Sequence, residues 1–265
     1  MDGFGMGVLS LVSAGAAMAA DPVADCAAPV LLEDMEADTP LRRALERHPL
    51  LTVAKNADGG HALAASYVGS EKGSERIVVR HDLPLAGTDF TLRYDVWLPD
   101  SFQFVRGGKM HGLGPDRPVT GGDPIRADGW SSRVMWRAGG GPVNYVYHQG
   151  QPGKYGEDGA ALSDATFTPG TWNRVALHVV LNGEDGTPGS SRVYLNGDLV
   201  NELGDVTYRT DFGAATEITQ FLFSTFHGGN DPSWAPKDED GNYVTLVARY
   251  DNIAVYPGLC TGVTG

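Results

Sequence analysis

This sequence has little cysteine, few basic residues and no long hydrophobic run. Its 265 residues include two cysteines, and 20 lysines and arginines stand against 33 aspartates and glutamates, which gives a net charge of −13. Such an excess of acid argues against a protein that binds nucleic acid through its phosphates, because that binding needs a basic surface. It leaves room for an anionic ligand in a local basic cleft. Hydrophobic residues make up 42%, which is typical of a globular chain rather than a disordered one.

The longest apolar stretch lies at the N-terminus and is too short to cross a bilayer. Residues 8–20 are apolar or small, whereas a spanning helix needs about 20 such residues. Ala17-Met18-Ala19 has the spacing of a signal-peptidase site. We expect residues 1–19 to be a signal peptide, residues 20–265 to form the mature domain, and the protein to be secreted or periplasmic, without a membrane partner. Because no Lys or Arg precedes the run, an unstructured N-terminus is the alternative.

The two cysteines stand near the ends of the proposed mature chain, at Cys26 and Cys260. In an exported protein such a pair suggests a disulfide, which would tie the ends of the domain together. Two free thiols are the alternative. Neither cysteine has a second Cys or His at ligand spacing, and the seven histidines are scattered, so we expect no metal and no cofactor.

Turn-forming residues are plentiful, with 36 glycines and 16 prolines. Many short runs alternate between apolar and polar residues, Asn196-Gly197 is a hairpin signal, and residues 41–47 form the one short helix pattern. We therefore expect a single all-β domain over about residues 25–262, either a sandwich or a barrel. The predicted strands cover residues 61–68, 75–80, 90–98, 131–137, 143–148, 174–181, 191–195, 218–226 and 244–256.

Polar and aromatic residues are concentrated in four segments. On a strand, Ser131 and Arg133 share one face with Met135, and Trp136 points to the other face, toward the core. A glycine-rich turn joins this segment to the next one, so we expect the two strands to be neighbours. One polar patch would then contain Ser131, Arg133, Tyr145 and Tyr147. The four segments are residues 104–114, 130–136, 144–148 and 224–234.

These segments resemble, in chain order, the motifs of polysaccharide lyase family 14, whose members cleave alginate and glucuronan. The resemblance covers about residues 85–256. It departs from the family at Lys109-Met110-His111-Gly112, where relatives read Lys-Leu-Pro-Gly, and at His227, where many relatives carry another aromatic residue. Both departures bear on which uronate is accepted. The matching motifs are Gly107-Gly108-Lys109, Ser131-Ser132-Arg133, Tyr145-Val146-Tyr147 and Phe226-His227-Gly228-Gly229.

The resemblance implies a concanavalin-like jelly-roll β-sandwich that acts on an anionic uronate polysaccharide. It places Lys109 in a loop, whose glycines would let the backbone approach a ligand closely. We further expect a monomer. The implied catalytic residues are Lys109, Ser131, Arg133, Tyr145 and Tyr147. Neighbouring residues expected to bind the substrate are Arg106, His111, His148, His227, Asn230 and Trp234.

These residue types suit a β-elimination. A lyase removes the C5 proton of a uronate and expels the sugar linked at O4, so negative charge grows on the carboxylate and needs a cation beside it. Arg133 or Lys109 can supply that cation. A tyrosine can serve as base or acid where neighbouring cations lower its pKa. The sequence leaves open which residue is base and which is acid.

Two other functions compete with a lyase. A carbohydrate-binding sandwich without catalysis would use the same face and bind sugar without turnover. A sandwich glycoside hydrolase needs two carboxylates about 5–10 Å apart. The nearest candidate stretch, from Glu36 to Asp38, lacks a further glutamate and precedes the strands, so the hydrolase ranks last.

Overall fold

The computed structural model describes residues 26–56 and 59–262. The expected signal peptide lies outside these residues. Within them the chain forms one α-helix, α1 (Pro40–Glu46), and three 3-10 turns at Ala138–Gly140, Ala214–Thr216 and Pro232–Trp234. None of the described helices is long and apolar enough to span a membrane. The strands are β1 (Leu31–Glu33), β2 (Leu51–Lys55), β3 (His61–Ser70), β4 (Gly73–Ser74), β5 (Ile77–Gly87), β6 (Asp89–Trp97), β7 (Gly107–Gly114), β8 (Ser131–Arg137), β9 (Pro142–Tyr147), β10 (Ala160–Ala161), β11 (Trp172–Val180), β12 (Gly189–Leu195), β13 (Asp198–Val206), β14 (Ile218–His227) and β15 (Thr245–Pro257).

The strands form two antiparallel sheets. The larger sheet has ten strands in the order β10-β13-β12-β11-β6-β15-β3-β2, with β1 paired to β15 and β4 paired to β3. The smaller sheet has five strands in the order β5-β14-β7-β8-β9. The two sheets face each other across one hydrophobic core. This arrangement is the predicted β-sandwich.

Strand alternation decides which residues enter that core. On β8, Val134 and Trp136 are buried between the sheets, as predicted for Trp136. Their neighbours Arg133, Met135 and Arg137 therefore project from the outer face of the smaller sheet. Burial of the apolar set thus fixes which polar residues face outward together.

A disulfide joins Cys26 to Cys260, as expected, and spans 234 positions of sequence. The Arg93 guanidinium lies beside it, with Nη1 3.3 Å from Sγ of Cys260. Arg93 alternates with the core residues Leu92 and Tyr94 of β6, so the disulfide lies at the outer face of the larger sheet.

The segment around Lys109 is a strand rather than the expected loop. Residues of β7 pair with both β14 and β8, so β7 is the central strand of the smaller sheet. Gly108 serves packing here and not ligand approach, because a Cβ at Gly108 would lie 2.1 Å from the Trp136 ring. The glycine therefore makes room for a core tryptophan.

Candidate active site

A cavity of about 520 Å³ opens on the outer face of the smaller sheet. This volume is within the range of small-molecule sites. All five strands contribute to its floor, and the loops around residues 120, 155 and 230 form its walls. The floor residues alternate along their strands, as one face of a sheet requires. From the strands the cavity is lined by Val78, Arg80, Lys109, Arg133, Met135, Arg137, Tyr145, Tyr147, Leu222, Ser224 and Phe226.

The β8–β9 hairpin places the predicted patch residues side by side. Ser131 pairs directly with Tyr147, and Arg133 pairs directly with Tyr145. The turn between the strands contains Gly139 and Gly140, both with positive φ, near +85°. Direct partners on one face of an antiparallel pair have neighbouring side chains, so this hairpin brings Arg133 against the tyrosine rings.

The cavity is strongly basic although the protein is acidic. Its lining contains five cationic side chains and a single carboxylate, Asp231. That carboxylate is already engaged, because the Ser233 backbone N–H donates to it at 2.9 Å. A concave site with this charge selects an anionic ligand. The five cations are Arg76, Arg80, Lys109, Arg133 and Arg137.

Arg133 is the most deeply placed of these cations. Its side chain lies 5.6 Å and 5.9 Å from the ring centroids of Tyr145 and Tyr147. The residue is only 5% exposed, and its Nε and Nη2 have no hydrogen-bond partner among the described residues. Burial lowers its pKa, yet a guanidinium remains charged at neutral pH. A buried cation with free donors is suited to a ligand carboxylate.

Lys109 occupies the neighbouring strand and has a perturbed amine. Its Nζ lies 2.6 Å from the Met135 Sδ and 3.2 Å from the centroid of the Tyr145 ring. Burial, followed by repulsion from Arg133 and Arg137, holds the pKa of Lys109 well below its ordinary value. A larger share of this amine is therefore neutral near pH 7, the form in which it can accept a proton.

The two tyrosine hydroxyls differ in their surroundings. They lie 3.5 Å apart, and the Gly122 backbone N–H donates to the Tyr147 oxygen at 2.9 Å. Burial, reinforced by Tyr147, raises the pKa of the Tyr145 hydroxyl. Tyr145 therefore stays protonated at neutral pH, so its hydroxyl carries the proton that an acid would have to transfer.

Three further cations of the cavity, Arg76, Arg80 and Arg137, were not predicted as site residues, and two of them are held by other groups. Arg137 forms a two-point ion pair with Asp158, with Nε 2.7 Å from Oδ2. Arg76 donates to the carbonyl oxygens of His227 and Gly229, at 3.1 and 2.7 Å. Alternation could have found Arg137, because it continues the Arg133 face of the predicted strand.

Comparison with known proteins decides the family. The sequence matches the family model of polysaccharide lyase 14 over residues 64–245. The chain belongs to polysaccharide lyase family 14. This confirms the resemblance given by the motifs, and the protein is a polysaccharide lyase. In the described part of the lyase, no group of three or more His, Cys, Asp or Glu side chains could hold a metal ion.

Several solved structures are similar to this lyase. Alginate lyase Aly36B is 27% identical with a TM-score of 0.62, over 76% of this chain and 81% of that chain. An alginate lyase from Aplysia kurodai is 19% identical with a TM-score of 0.69, over 87% and 100%. An endo-β-1,4-glucuronan lyase from Trichoderma reesei is 18% identical with a TM-score of 0.55, over 87% and 96%. These last two show the fold, which confirms the jelly-roll sandwich. A comparison with curated protein sequences found no match.

Three predicted histidines do not reach the lyase cavity. His148 and His227 each follow a residue that lines it, Tyr147 and Phe226, and therefore point to the opposite face. The Nε2 of His148 lies 2.8 Å from a Glu157 carboxylate oxygen. The Nε2 of His227 lies 2.7 Å from the Gln103 carbonyl oxygen. The prediction that both histidines bind the substrate groups residues by segment, whereas the strand face decides which side chains reach the cavity.

His111 is the clearest correction. On an unbroken strand it would share the face of Lys109, but the pairing of β7 with β8 shifts register between Lys109 and Gly112. The shift turns His111 into the core, where its ring stacks on Phe223 with centroids 4.1 Å apart. It is fully buried, and burial lowers its pKa to about 3. A substrate does not reach this side chain.

The remaining predicted residues lie in or beside the cavity with different contacts. Asn230 and Trp234 line it. Arg106 lies beside them, with its Nη1 donating to Ser233 at 2.9 Å and its guanidinium 5.0 Å from the Trp234 ring. Ser131 is fully buried, and its hydroxyl donates to the Val119 carbonyl at 2.7 Å, so it supports the cavity wall rather than lining the cavity.

Proposed function

We propose that this lyase cleaves a uronic-acid polymer of the alginate or glucuronan type by β-elimination and leaves a 4,5-unsaturated uronate at the new end. The observation that carries the proposal is the buried Arg133 guanidinium, which has unpartnered donors and lies in a cavity lined by three more arginines. The relatives support the substrate class, because Aly36B structures contain alginate oligosaccharides. Their names include both alginate lyases and a glucuronan lyase.

In the proposed reaction, Arg133 holds the uronate carboxylate. Its planar guanidinium donates two hydrogen bonds to the carboxylate, and it stabilises the second negative charge that develops there when C5 loses its proton. The site is largely closed to water around this group, so the charge interaction is stronger than it would be in solution. The acidity of the C5 proton rises as a result.

Lys109 is the proposed base. As a neutral amine it takes the C5 proton, and the electron pair of the C5–H bond becomes the C4–C5 double bond. The bond from C4 to the glycosidic oxygen then breaks, and its electrons remain on that oxygen. Tyr145 is the proposed acid and transfers its hydroxyl proton to the leaving oxygen. The Tyr147 hydroxyl, fixed by the Gly122 amide, lies 3.5 Å from Tyr145 and can return a proton to it.

The first test is ultraviolet absorbance over time with a panel of uronate polymers, since only elimination creates a double bond conjugated to the carboxylate. Wild type should produce the signal on at least one polymer. Lys109→Met should lower kcat by at least about 10²-fold, the scale of a lost general base. Lys55→Met, which removes an exposed lysine on β2, is the matched control and should keep full activity.

The dependence of kcat/KM on pH tests whether Lys109 or a tyrosine is the base. An amine base is active when deprotonated, so kcat/KM should rise with pH and level off below the ordinary lysine pKa. Our assignment is overturned if Lys109→Met keeps the rise of kcat/KM with pH and most of the wild-type rate, while Tyr147→Phe loses the rise and the rate. The base is then Tyr147. Retention on a uronan gel without absorbance would instead favour a binding module. New reducing ends without absorbance would favour a hydrolase.

The proposal extends to location and assembly. We propose that the lyase is exported with removal of residues 1–19, and that it acts as a monomer. N-terminal sequencing of protein recovered outside the cell should begin near residue 20. Light scattering should give the mass of one chain.

A further inference from the structure

Arg80 differs from the other cations of the cavity in having no protein partner. It lies on β5, the edge strand of the smaller sheet, and is exposed. Arg76 is held by two carbonyl oxygens and Arg137 by Asp158, whereas the Arg80 side chain makes no hydrogen bond, ion pair or ring contact with any residue that the structure describes. Its charge therefore remains available to a ligand.

The acidic residue nearest to Arg80 on its own strand forms no ion pair with it. Asp82 lies two residues along β5 and so on the same face. Its Oδ1 accepts a hydrogen bond from the Gln220 side chain of β14 at 2.9 Å. The β14 residue directly opposite Arg80 is Leu222, which is apolar. Asp82 is the one acidic residue of the two strands, and no ion pair within 4.0 Å joins it to Arg80.

Arg80 and Arg133 stand in one row across the sheet. Arg80 pairs with Leu222, Leu222 with Gly112, and Gly112 with Arg133. The backbones of the two arginines are thus three strand spacings apart, about 14 Å. The positions between them carry a buried leucine and a glycine, so no polar side chain of the row separates the two cations.

The Arg133 side chain lies over Gly112, on the side of β8 that faces Arg80. A Cβ at Gly112 would lie 2.4 Å from Cγ of Arg133, which means that the glycine leaves the space that this side chain fills. The two guanidinium groups therefore share one trough with an apolar floor. A polymer lying across the strands would pass from one to the other.

We infer that Arg80 forms a second carboxylate-binding subsite, which takes the uronate of a sugar unit a few positions away from the unit held by Arg133. The inference rests on the proposed function, because it needs a chain with a carboxylate on successive units. Arg80 touches a remote part of the substrate and not the reacting atoms. It therefore selects for polymer length and for charge at a distance from the cleaved bond.

The experiment compares substrates of defined length from the polymer that wild type cleaves. For Arg80→Gln, kcat/KM should fall about fivefold to tenfold on long oligomers, as expected for one cleft ion pair. It should be unchanged on the shortest oligomer that is cleaved, which does not reach Arg80. Arg80→Lys keeps the charge and should retain most of the activity. Arg192→Gln removes a charge from the larger sheet, where Arg192 pairs with Glu202, and should match wild type on all lengths.

Salt provides a second readout. Because Arg80 is exposed, the loss in Arg80→Gln on long oligomers should shrink as ionic strength rises. An equal loss on short and long oligomers would overturn the inference, since it would indicate a disturbed catalytic centre. No loss on long oligomers would overturn it as well, and in both cases the proposed function would stand.

Failure of the proposed function has a different signature. In that case wild type would produce no absorbance on any uronan. Calorimetry with the same oligomers would then test the Arg80 subsite through binding, independently of cleavage. Weaker binding of long oligomers by Arg80→Gln, with unchanged binding of short ones, would support the subsite. Absence of any binding by wild type would overturn it.

Discussion

At Arg133 the proposed reaction and the stability of the fold make opposite demands on one side chain. A buried guanidinium with free donors lowers stability, because the folded protein does not replace all the hydrogen bonds that water gives to the unfolded chain. The Tyr145 and Tyr147 rings of the neighbouring strand offer partial compensation through cation–π contact. In the reaction that we propose, the substrate carboxylate would accept hydrogen bonds from this guanidinium, whose Nε and Nη2 have no partner among the described residues.

Replacing this residue should therefore separate stability from activity. We expect Arg133→Met to raise the free energy of unfolding by about 1–3 kcal/mol, since an apolar side chain of similar length removes a buried unpaired charge. The same change should lower kcat/KM by about 10²-fold or more. Urea denaturation and the absorbance assay measure the two effects. A variant that is both less stable and inactive would contradict the argument.

The buried histidines predict a loss of stability in acid. Burial lowers the pKa of His111 to about 3 and that of His227 to about 4, whereas both are near 6.5 in an unfolded chain. Below pH 6.5 the unfolded chain takes up protons that the folded lyase does not, so the free energy of unfolding falls with pH. The loss by pH 4 is about 3 kcal/mol for His111.

This prediction can be checked by denaturation at pH 7 and pH 4.5. The variant His111→Phe keeps an aromatic ring against Phe223 and removes one titrating group. It should lose less stability between the two pH values than wild type does. Equal losses in both proteins would show that carboxylates, and not His111, cause the acid sensitivity.

At the scale of elements, β7 is where the sequence is least informative. A run with four glycines among eight residues has the composition of a loop, and only its two neighbours in the sheet make it a strand. Its register shift, which turns His111 inward, has no local signal either. By contrast, β8 and β9 are recognisable from alternation alone, and their turn fixes which residues become partners.

The same contrast applies to the candidate site. Alternation correctly places Arg133 beside Tyr145, because both lie on strands joined by a short turn. Arg80 is far away in sequence, and its nearness to Arg133 depends on the order of the strands, which short-range patterns do not encode. Alternation along the predicted strand at residues 75–80 indicates that Arg76 and Arg80 share a face. It does not indicate whether that face belongs to the cavity.

Gly108 provides a test of the close packing of β7. We expect Gly108→Ala to destabilise the lyase by about 1–3 kcal/mol, because the added methyl group would overlap the Trp136 ring. Activity should fall as well, since the adjacent Lys109 would be displaced. Gly141→Ala is the control, because Gly141 has φ of −67° and a Cβ there would meet no atom within 4 Å. Thermal unfolding that is equal in the two variants would disprove the steric account.

For the whole molecule, the decisive property is the opposition between an acidic surface and a basic cleft. A net charge of −13 repels a polyanion at long range, while the cations of the cavity attract it once it is bound. Moderate salt weakens the long-range repulsion more than the attraction inside the cleft, because charges in the cleft are partly shielded from solvent.

The activity of the lyase should therefore pass through a maximum as salt is added. It should rise from low ionic strength to about 0.1 M, where the Debye length is about 10 Å, and fall at higher salt as the cleft contacts weaken. Initial rates with one uronan across a series of salt concentrations test this. A rate that falls steadily from the lowest salt would contradict it.

The disulfide at the outer face of the larger sheet has a consequence for redesign of the chain. The Cα atoms of Cys26 and Cys260 are 5.2 Å apart, so the two ends of the sandwich are already neighbours. A short peptide linker can replace the sulfur bridge there, and the chain can be opened instead at a surface turn such as Asn196-Gly197. A circularly permuted lyase of this kind would keep the β8–β9 hairpin uncut and would no longer need an oxidising environment to hold its original ends together.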